Sequence, residues 1–161
     1  MDRGASEPAE ILDRSITLDS DARRASSIDV GDDILTAVDA VFDAERKAVA
    51  AFFDVRLIGR EGAGFIRYPP GGFYRAHRDA GDLPSWPAAA RRRISVVLFL
   101  NTCREVPRPG EFGGGILKVF ENEPMDVVPR QGLLVAFPST DLHEVTPVWS
   151  GARDVIVDWY Y

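Results

Sequence analysis

From Gly62 onward the chain is a series of short apolar or alternating runs cut by Gly, Pro, Asn and Asp, and this punctuation restricts it to antiparallel β architecture. About eight such runs are legible: Ala63–Tyr68, Phe73–Asp79, Arg93–Asn101, Ile116–Glu121, Met125–Val128, Leu133–Phe137, Leu142–Val148 and Ala152–Tyr160. Their spacing suits two antiparallel sheets wrapped around a shared interior, a double-stranded β-helix or jelly-roll. Upstream the period changes. Ile34, Leu35, Val38, Val41, Phe42, Val49, Phe52 and Phe53 recur at helical spacing, with Asp39, Asp43, Glu45, Arg46 and Lys47 mainly between them. The pattern predicts one amphipathic helix over residues 32–53, capped by Asp32 or Asp33 and covering one sheet face. Residues 1–30 carry no sustained periodicity and read as a partly disordered N-terminal arm rather than core. The expected fold class is mainly β with supporting α: a jelly-roll core over about 62–161, packed by the N-terminal helix.

A chain of 161 residues has room for one domain, here 31–161, and no second one. With 25 acidic against 19 basic residues, a net charge of −6 argues against nucleic acid or an anionic membrane as partner. Cys103 is the sole cysteine, which excludes an internal disulfide and any site needing two thiolates, and fits a reducing compartment. The opening MDRGASEPAE has acids and Pro8 where a signal peptide needs a basic end and an apolar run, and no stretch reaches membrane-spanning length. The expected location is cytoplasmic. Gly113-Gly114-Gly115 lacks the Lys-Ser/Thr ending of a phosphate loop and precedes a strand, so a nucleotide site is not expected there.

His77 and Asp79 lie two apart on a predicted strand, which aims both side chains from one sheet face toward one point. The chain holds one other histidine, His143, also on a predicted strand. Two imidazoles and one carboxylate make a facial ligand set that leaves coordination positions open. Arg153 follows His143 by ten residues, beyond a predicted turn at Trp149-Ser150-Gly151. A hairpin of that length would set it on the strand beside His143, its guanidinium facing the same interior. A buried cation needs an anion, and the planar fork of arginine pairs two-pronged with a carboxylate.

The segments Tyr68-Pro69-Pro70-Gly71-Gly72-Phe73-Tyr74-Arg75-Ala76-His77-Arg78-Asp79, Gly114-Gly115-Ile116-Leu117-Lys118-Val119-Phe120 and His143-Glu144-Val145-Thr146-Pro147-Val148 with Arg153 resemble the prolyl hydroxylase branch of the iron(II)/2-oxoglutarate dioxygenases over roughly 62–161. The resemblance implies Fe(II), 2-oxoglutarate and O2, with ascorbate as an auxiliary reductant. It implies iron ligands at His77, Asp79 and His143, and Arg153 on the far carboxylate of 2-oxoglutarate with Tyr68 helping to hold that cosubstrate. Tyr74 corresponds to an aromatic near iron and substrate, and Arg92 or Arg93 to the start of a strand near the substrate. Trp86, in the Ala80–Ala90 stretch, falls where a variable loop often closes over substrate.

The reaction so implied is hydroxylation of an unactivated C–H bond with release of succinate and CO2. The expected substrate is a prolyl residue in a peptide or protein, with a free amino acid or small metabolite as the alternative. Two further readings carry less weight. A zinc hydrolase could use the same ligands but needs a general base, and Glu144 beside His143 should point to the opposite face. A cupin-like binding module would offer a His-x-His pair and a glutamate, which this chain lacks.

Overall fold

The computed structural model describes residues 6–8, 21–81, 87–121 and 124–161. Its described strands are, in chain order, β1 (Ser6–Pro8), β2 (Arg23–Arg24), β3 (Ser26–Ile28), β4 (Gly64–Tyr68), β5 (Phe73–His77), β6 (Ile94–Phe99), β7 (Gly113–Gly114), β8 (Leu117–Val119), β9 (Met125–Val127), β10 (Leu134–Pro138), β11 (His143–Val145), β12 (Val148–Ser150) and β13 (Arg153–Tyr160). One long helix, α1 (Asp32–Phe53), precedes β4, and a single 3-10 turn spans Ala89–Arg91. The strands form a six-stranded sheet ordered β1-β3-β4-β13-β6-β10, a five-stranded sheet ordered β2-β5-β11-β8-β9, and the pair β12-β7. Every ladder between these strands is antiparallel, as the punctuation predicts. No helix among the described residues is long and apolar enough to cross a membrane.

Strands β6 and β13 are buried on both faces, and this creates two cores. Val97, Phe99 and Val155 meet Leu117, Val119 and Val145 of the five-stranded sheet, in a cluster that also holds Tyr68. Ile94, Val96, Ile156 and Tyr160 face the other way and pack with Phe42 and Val49 of α1. The side chains alternate because successive residues of a strand point to opposite faces. A near-continuous apolar run such as Ile94–Leu100 is the sequence form of a strand covered on both sides.

The seam of α1 is narrower than its apolar spacing suggests. Leu35, Val38, Phe42, Val49 and Phe53 pack on the sheet, whereas Ile34, Val41 and Phe52 are exposed. At 100° per residue the second set lies roughly 80° round the helix from the first, outside the contact. The N-cap is Gly31, with no side-chain bond. Asp32 and Asp33 instead occupy the first turn, where their charge suits the positive end of the helix dipole. Arg60 ties helix to sheet by pairing with Asp39 and Asp43 of α1 and with buried Asp158 of β13. Tyr160 Oη also donates to the Phe42 carbonyl at 2.6 Å. Phe42 is fully buried at this contact. Phe42→Ala should therefore destabilise the protein by about 3–5 kcal/mol, read as a lowered denaturant midpoint with unchanged slope.

Two local outcomes differ from the sequence expectation. Leu142–Val148 is two strands, β11 and β12, that belong to different sheets. Pro147, with no N–H to offer a ladder, marks the break. Within residues 1–30, Arg23–Arg24 pairs with β5 and Ser26–Ile28 pairs with β4, so this segment reaches both sheets and buries Ile28. Strands of two and three residues are too short to display a period.

Candidate metal centre

His77 ends β5 and His143 begins β11, and the two are direct partners across the ladder. Cross-strand partners project from the same face, so the imidazoles meet with ring centroids 4.2 Å apart. Asp79 is not on the strand, as its spacing from His77 suggested; β5 stops at His77 and Asp79 sits in the following bend. Its backbone is held from outside the ladder. The N–H groups of Asp79 and Ala80 donate to the Ser139 carbonyl at 3.0 and 2.9 Å, and Arg92 Nη1 donates to the Asp79 carbonyl at 3.1 Å. The result is a cluster in which one potential ligand atom from each of His77, Asp79 and His143 lies within 4.8 Å of the others. Asp79 Oδ1 is 3.4 Å from His77 Nε2 and Oδ2 is 3.6 Å from His143 Nε2.

The donor set suits a divalent metal. His77 Nδ1 lies 2.8 Å from the Arg75 carbonyl and His143 Nδ1 lies 2.9 Å from the Asp141 carbonyl. A carbonyl only accepts, so each Nδ1 carries the proton and each Nε2 presents its lone pair to the common point. Burial is the largest influence on His143 and pushes its pKa down, with Asp79 opposing and His77 adding to the shift. The neutral ring that results is the form that ligates metal. For Asp79, burial works to raise the pKa, but the imidazoles facing it, together with the Trp159 side chain, outweigh burial and hold the carboxyl well below its ordinary range. Phe137 packs edge-on to His143 at 4.7 Å, and Tyr74 stacks on His77 with centroids 3.5 Å apart.

Arg153 is 1 % exposed yet lies among apolar side chains. It begins β13 opposite Tyr68 of β4, its guanidinium 4.8 Å from the Tyr68 ring and 5.2 Å from that of Phe99. The expected hairpin neighbour of His143 is therefore corrected: the strands flanking β11 are β5 and β8, and Arg153 approaches from the six-stranded sheet. Trp149 and Ser150, expected in a turn, belong to β12, which pairs with β7 and carries the chain across between the sheets. Gly115 lies against the Arg153 stem with φ +61°, and a Cβ there would stand 2.8 Å from Arg153 Cδ. Burial pushes the guanidinium pKa down to about 10, with Tyr68 opposing, so it stays cationic at neutral pH. Arg153 Nε has no hydrogen-bond partner among the described residues. A buried cation with an unused donor fits an anion supplied from outside the chain.

The remaining expected residues divide. Tyr74 joins the centre through its stack on His77, and burial pushes its phenol up to about 12. Arg93 is exposed, and the inward residue of that pair is Arg92. Arg92 is 4 % exposed, is bidentate with Glu61 at 2.8 Å for both bonds, and lies over the Trp159 ring. Strand alternation decides which arginine turns in, and sequence alone did not set the register. Trp86 lies outside the described residues. Sequence reasoning passed over Arg23, whose guanidinium stands 4.7 Å from the Tyr74 ring centroid, and Ser95 and Ser139. Ser95 had a legible signal, a lone hydroxyl inside the apolar run Ile94–Leu100.

A triad of two imidazoles and a carboxylate, its His143 buried and its His77 and Asp79 half-buried, stands with a buried arginine on the facing sheet, and a known profile matches the segment that carries all four. The profile of the 2OG-Fe(II) oxygenase superfamily covers residues 63–161. The chain belongs to that superfamily. Its curated relatives include a PKHD-type hydroxylase of Sphingopyxis alaskensis, 34% identical over 56% of this chain and 39% of that protein. Another, from Acidovorax ebreus, is 38% identical over 59% of this chain and 40% of its own length. The chain thus aligns with about two fifths of these relatives. Among solved structures, a Pseudomonas putida prolyl-4-hydroxylase is 33% identical with a TM-score of 0.60, covering 86% of this chain and 72% of that one. A Trichoplax adhaerens prolyl hydroxylase shares the fold, with a TM-score of 0.74 at 21% identity over 97% of this chain and 70% of that one. Membership of the 2OG-Fe(II) oxygenases implies Fe(II), 2-oxoglutarate and O2 as the reactive partners. The His77–Asp79–His143 cluster supplies a donor set of the kind such iron requires.

Proposed function

We propose that this 2OG-Fe(II) oxygenase is a hydroxylase of prolyl residues in a peptide or protein, with its two sheets rolled as a double-stranded β-helix around the reaction centre. His77, Asp79 and His143 hold the iron, and Arg153 with Tyr68 holds the distal carboxylate of 2-oxoglutarate. The observation that carries this reading is the convergence of two Nε2 lone pairs and one carboxylate within 4.8 Å. When bound, iron and cosubstrate supply the oxidation: 2-oxoglutarate loses CO2 and takes one oxygen atom of O2 as succinate, and the other enters the substrate C–H bond. The chain itself holds and orients. Arg153 fixes the end of 2-oxoglutarate remote from its keto group, so that binding energy gained away from the reacting carbon sets its approach. Phe99 and Phe137, with Val145, belong to the apolar core beside these residues, Phe137 against His143 and Phe99 against Arg153. Tyr74, neutral at ordinary pH, stacks on His77 and limits the directions in which that ring can turn. The prolyl substrate is supported by the 33% identity to the P. putida prolyl-4-hydroxylase.

Anaerobic addition of Fe(II) and then 2-oxoglutarate should raise a weak visible charge-transfer band. Admission of O2 should then give succinate, and a proline-containing peptide among those offered should gain one oxygen by mass spectrometry. A protein that takes up Zn(II) but shows no band with Fe(II) and 2-oxoglutarate would overturn the iron reading. A band with oxygen gain only on free amino acids or metabolites would overturn the prolyl assignment.

A further inference from the structure

Strand β6 is covered on both faces, yet at one inward position it carries a hydroxyl in place of an apolar side chain. Ser95 is 1 % exposed and Ser139, in the turn after β10, is fully buried. Ser95 Oγ lies 2.7 Å from Asp79 Oδ2 and 2.9 Å from Ser139 Oγ. The direction of these bonds follows from chemistry. An ionised carboxylate only accepts, and a serine has one proton to give. Ser95 therefore donates to Asp79, and Ser139 donates to Ser95. Ser139 grips the same residue a second time, its carbonyl accepting the N–H groups of Asp79 and Ala80.

Asp79 lies beyond the end of β5, where no ladder bond fixes its backbone, so the direction of its carboxylate depends on side-chain donors, Ser95 on Oδ2 and the Trp159 side chain beside it. Two hydroxyls buried in an apolar interior cost stability unless each is bonded, and an alanine or valine would fill the space without that penalty. Their arrangement makes sense as a chain of donors ending on one oxygen of a candidate ligand. We propose that Ser95, backed by Ser139, is a positioning residue that occupies Asp79 Oδ2, so that the carboxylate meets the metal through Oδ1 alone and leaves the neighbouring coordination positions open. This rests on the assignment of His77, Asp79 and His143 as the iron ligands. A carboxylate released to bind through both oxygens would compete with cosubstrate for the same positions.

The test uses the full chain and its Ser95→Ala, Ser95→Thr and Ser139→Ala variants, titrated anaerobically with Fe(II) and then 2-oxoglutarate, with Co(II) spectra as an independent reading of coordination. Ser95→Ala should bind Fe(II) roughly 10–100-fold more weakly, the range for losing a partner that orients a metal ligand. Its Co(II) spectrum and its 2-oxoglutarate band should also change. Ser95→Thr keeps the donor on a strand-favouring residue and should restore wild-type behaviour. Ser139→Ala should weaken binding by a smaller factor, and it carries the test if Ser95→Ala does not fold. Variants that fold and titrate like the wild type, with unchanged spectra, would overturn the proposal. So would a Ser95→Thr protein no better than Ser95→Ala. A wild-type protein that binds no Fe(II) would overturn the metal-centre reading itself, a result separate from either of these.

Discussion

Asp79→Ala is expected to abolish Fe(II) uptake and all succinate formation dependent on it. The carboxylate is the sole anion in the triad, and it faces one imidazole at 3.4 Å and the other at 3.6 Å. Loss of a partner that merely orients a ligand weakens metal binding 10–100-fold, so loss of the ligand itself should exceed about 100-fold. The fold should survive, since Asp79 stands outside the strand ladders and its backbone bonds to Ser139 do not need the side chain. Asp79→Asn separates charge from shape. It retains an oxygen for the Ser95 hydroxyl but not the negative charge, and should bind iron nearly as poorly as the alanine variant. Equilibrium dialysis under anaerobic conditions, with thermal unfolding as the control for folding, checks both. Wild-type iron affinity in Asp79→Ala would remove this residue from the ligand set.

Arg153→Met should leave Fe(II) binding intact and raise the 2-oxoglutarate requirement by two orders of magnitude or more. A buried, hydrogen-bonded charge pair that loses one member typically costs 2–5 kcal/mol, and about 3 kcal/mol corresponds to roughly 150-fold in affinity. The effect should fall on KM for 2-oxoglutarate more than on kcat at saturating cosubstrate, because in the proposed role the arginine grips the end of the molecule remote from the chemistry. Arg153→Lys should recover only part of the loss, since a point charge cannot reproduce the planar two-pronged fork. Without cosubstrate the sign reverses. The wild-type guanidinium sits in an apolar interior against Tyr68 and Phe99, with one donor nitrogen unbonded among the described residues. An unbranched apolar side chain there should match or exceed the thermal stability of the wild type. An unaltered KM for 2-oxoglutarate in Arg153→Met would show that the carboxylate is held elsewhere.

The candidate centre was legible in the sequence to the extent that its chemistry is scarce. With two histidines in the chain, a metal set built on imidazole has few alternatives, and a carboxylate two residues from one of them completes it. The helix bounds were readable because twenty-two residues give the apolar repeat room to show itself. The roles of Arg92 and Arg93 were not readable, since a shift of one residue in strand register exchanges which of them turns inward. Arg23 was hidden in a two-residue strand, too short for any pattern.

The sequence by itself determined where strands alternate, where the helix lies and which residue types could bind a metal, because periodicity and residue chemistry are local properties of the chain. Only the tertiary structure decided that Asp79 reaches its place from a bend instead of a strand, that Arg153 approaches from the facing sheet, and that Ser95 and Ser139 close on the carboxylate. Those outcomes depend on which strands become neighbours. Alternation tells each side chain which face to take, but the pairing of distant segments, set by the joint burial of both cores, tells that face what it will meet.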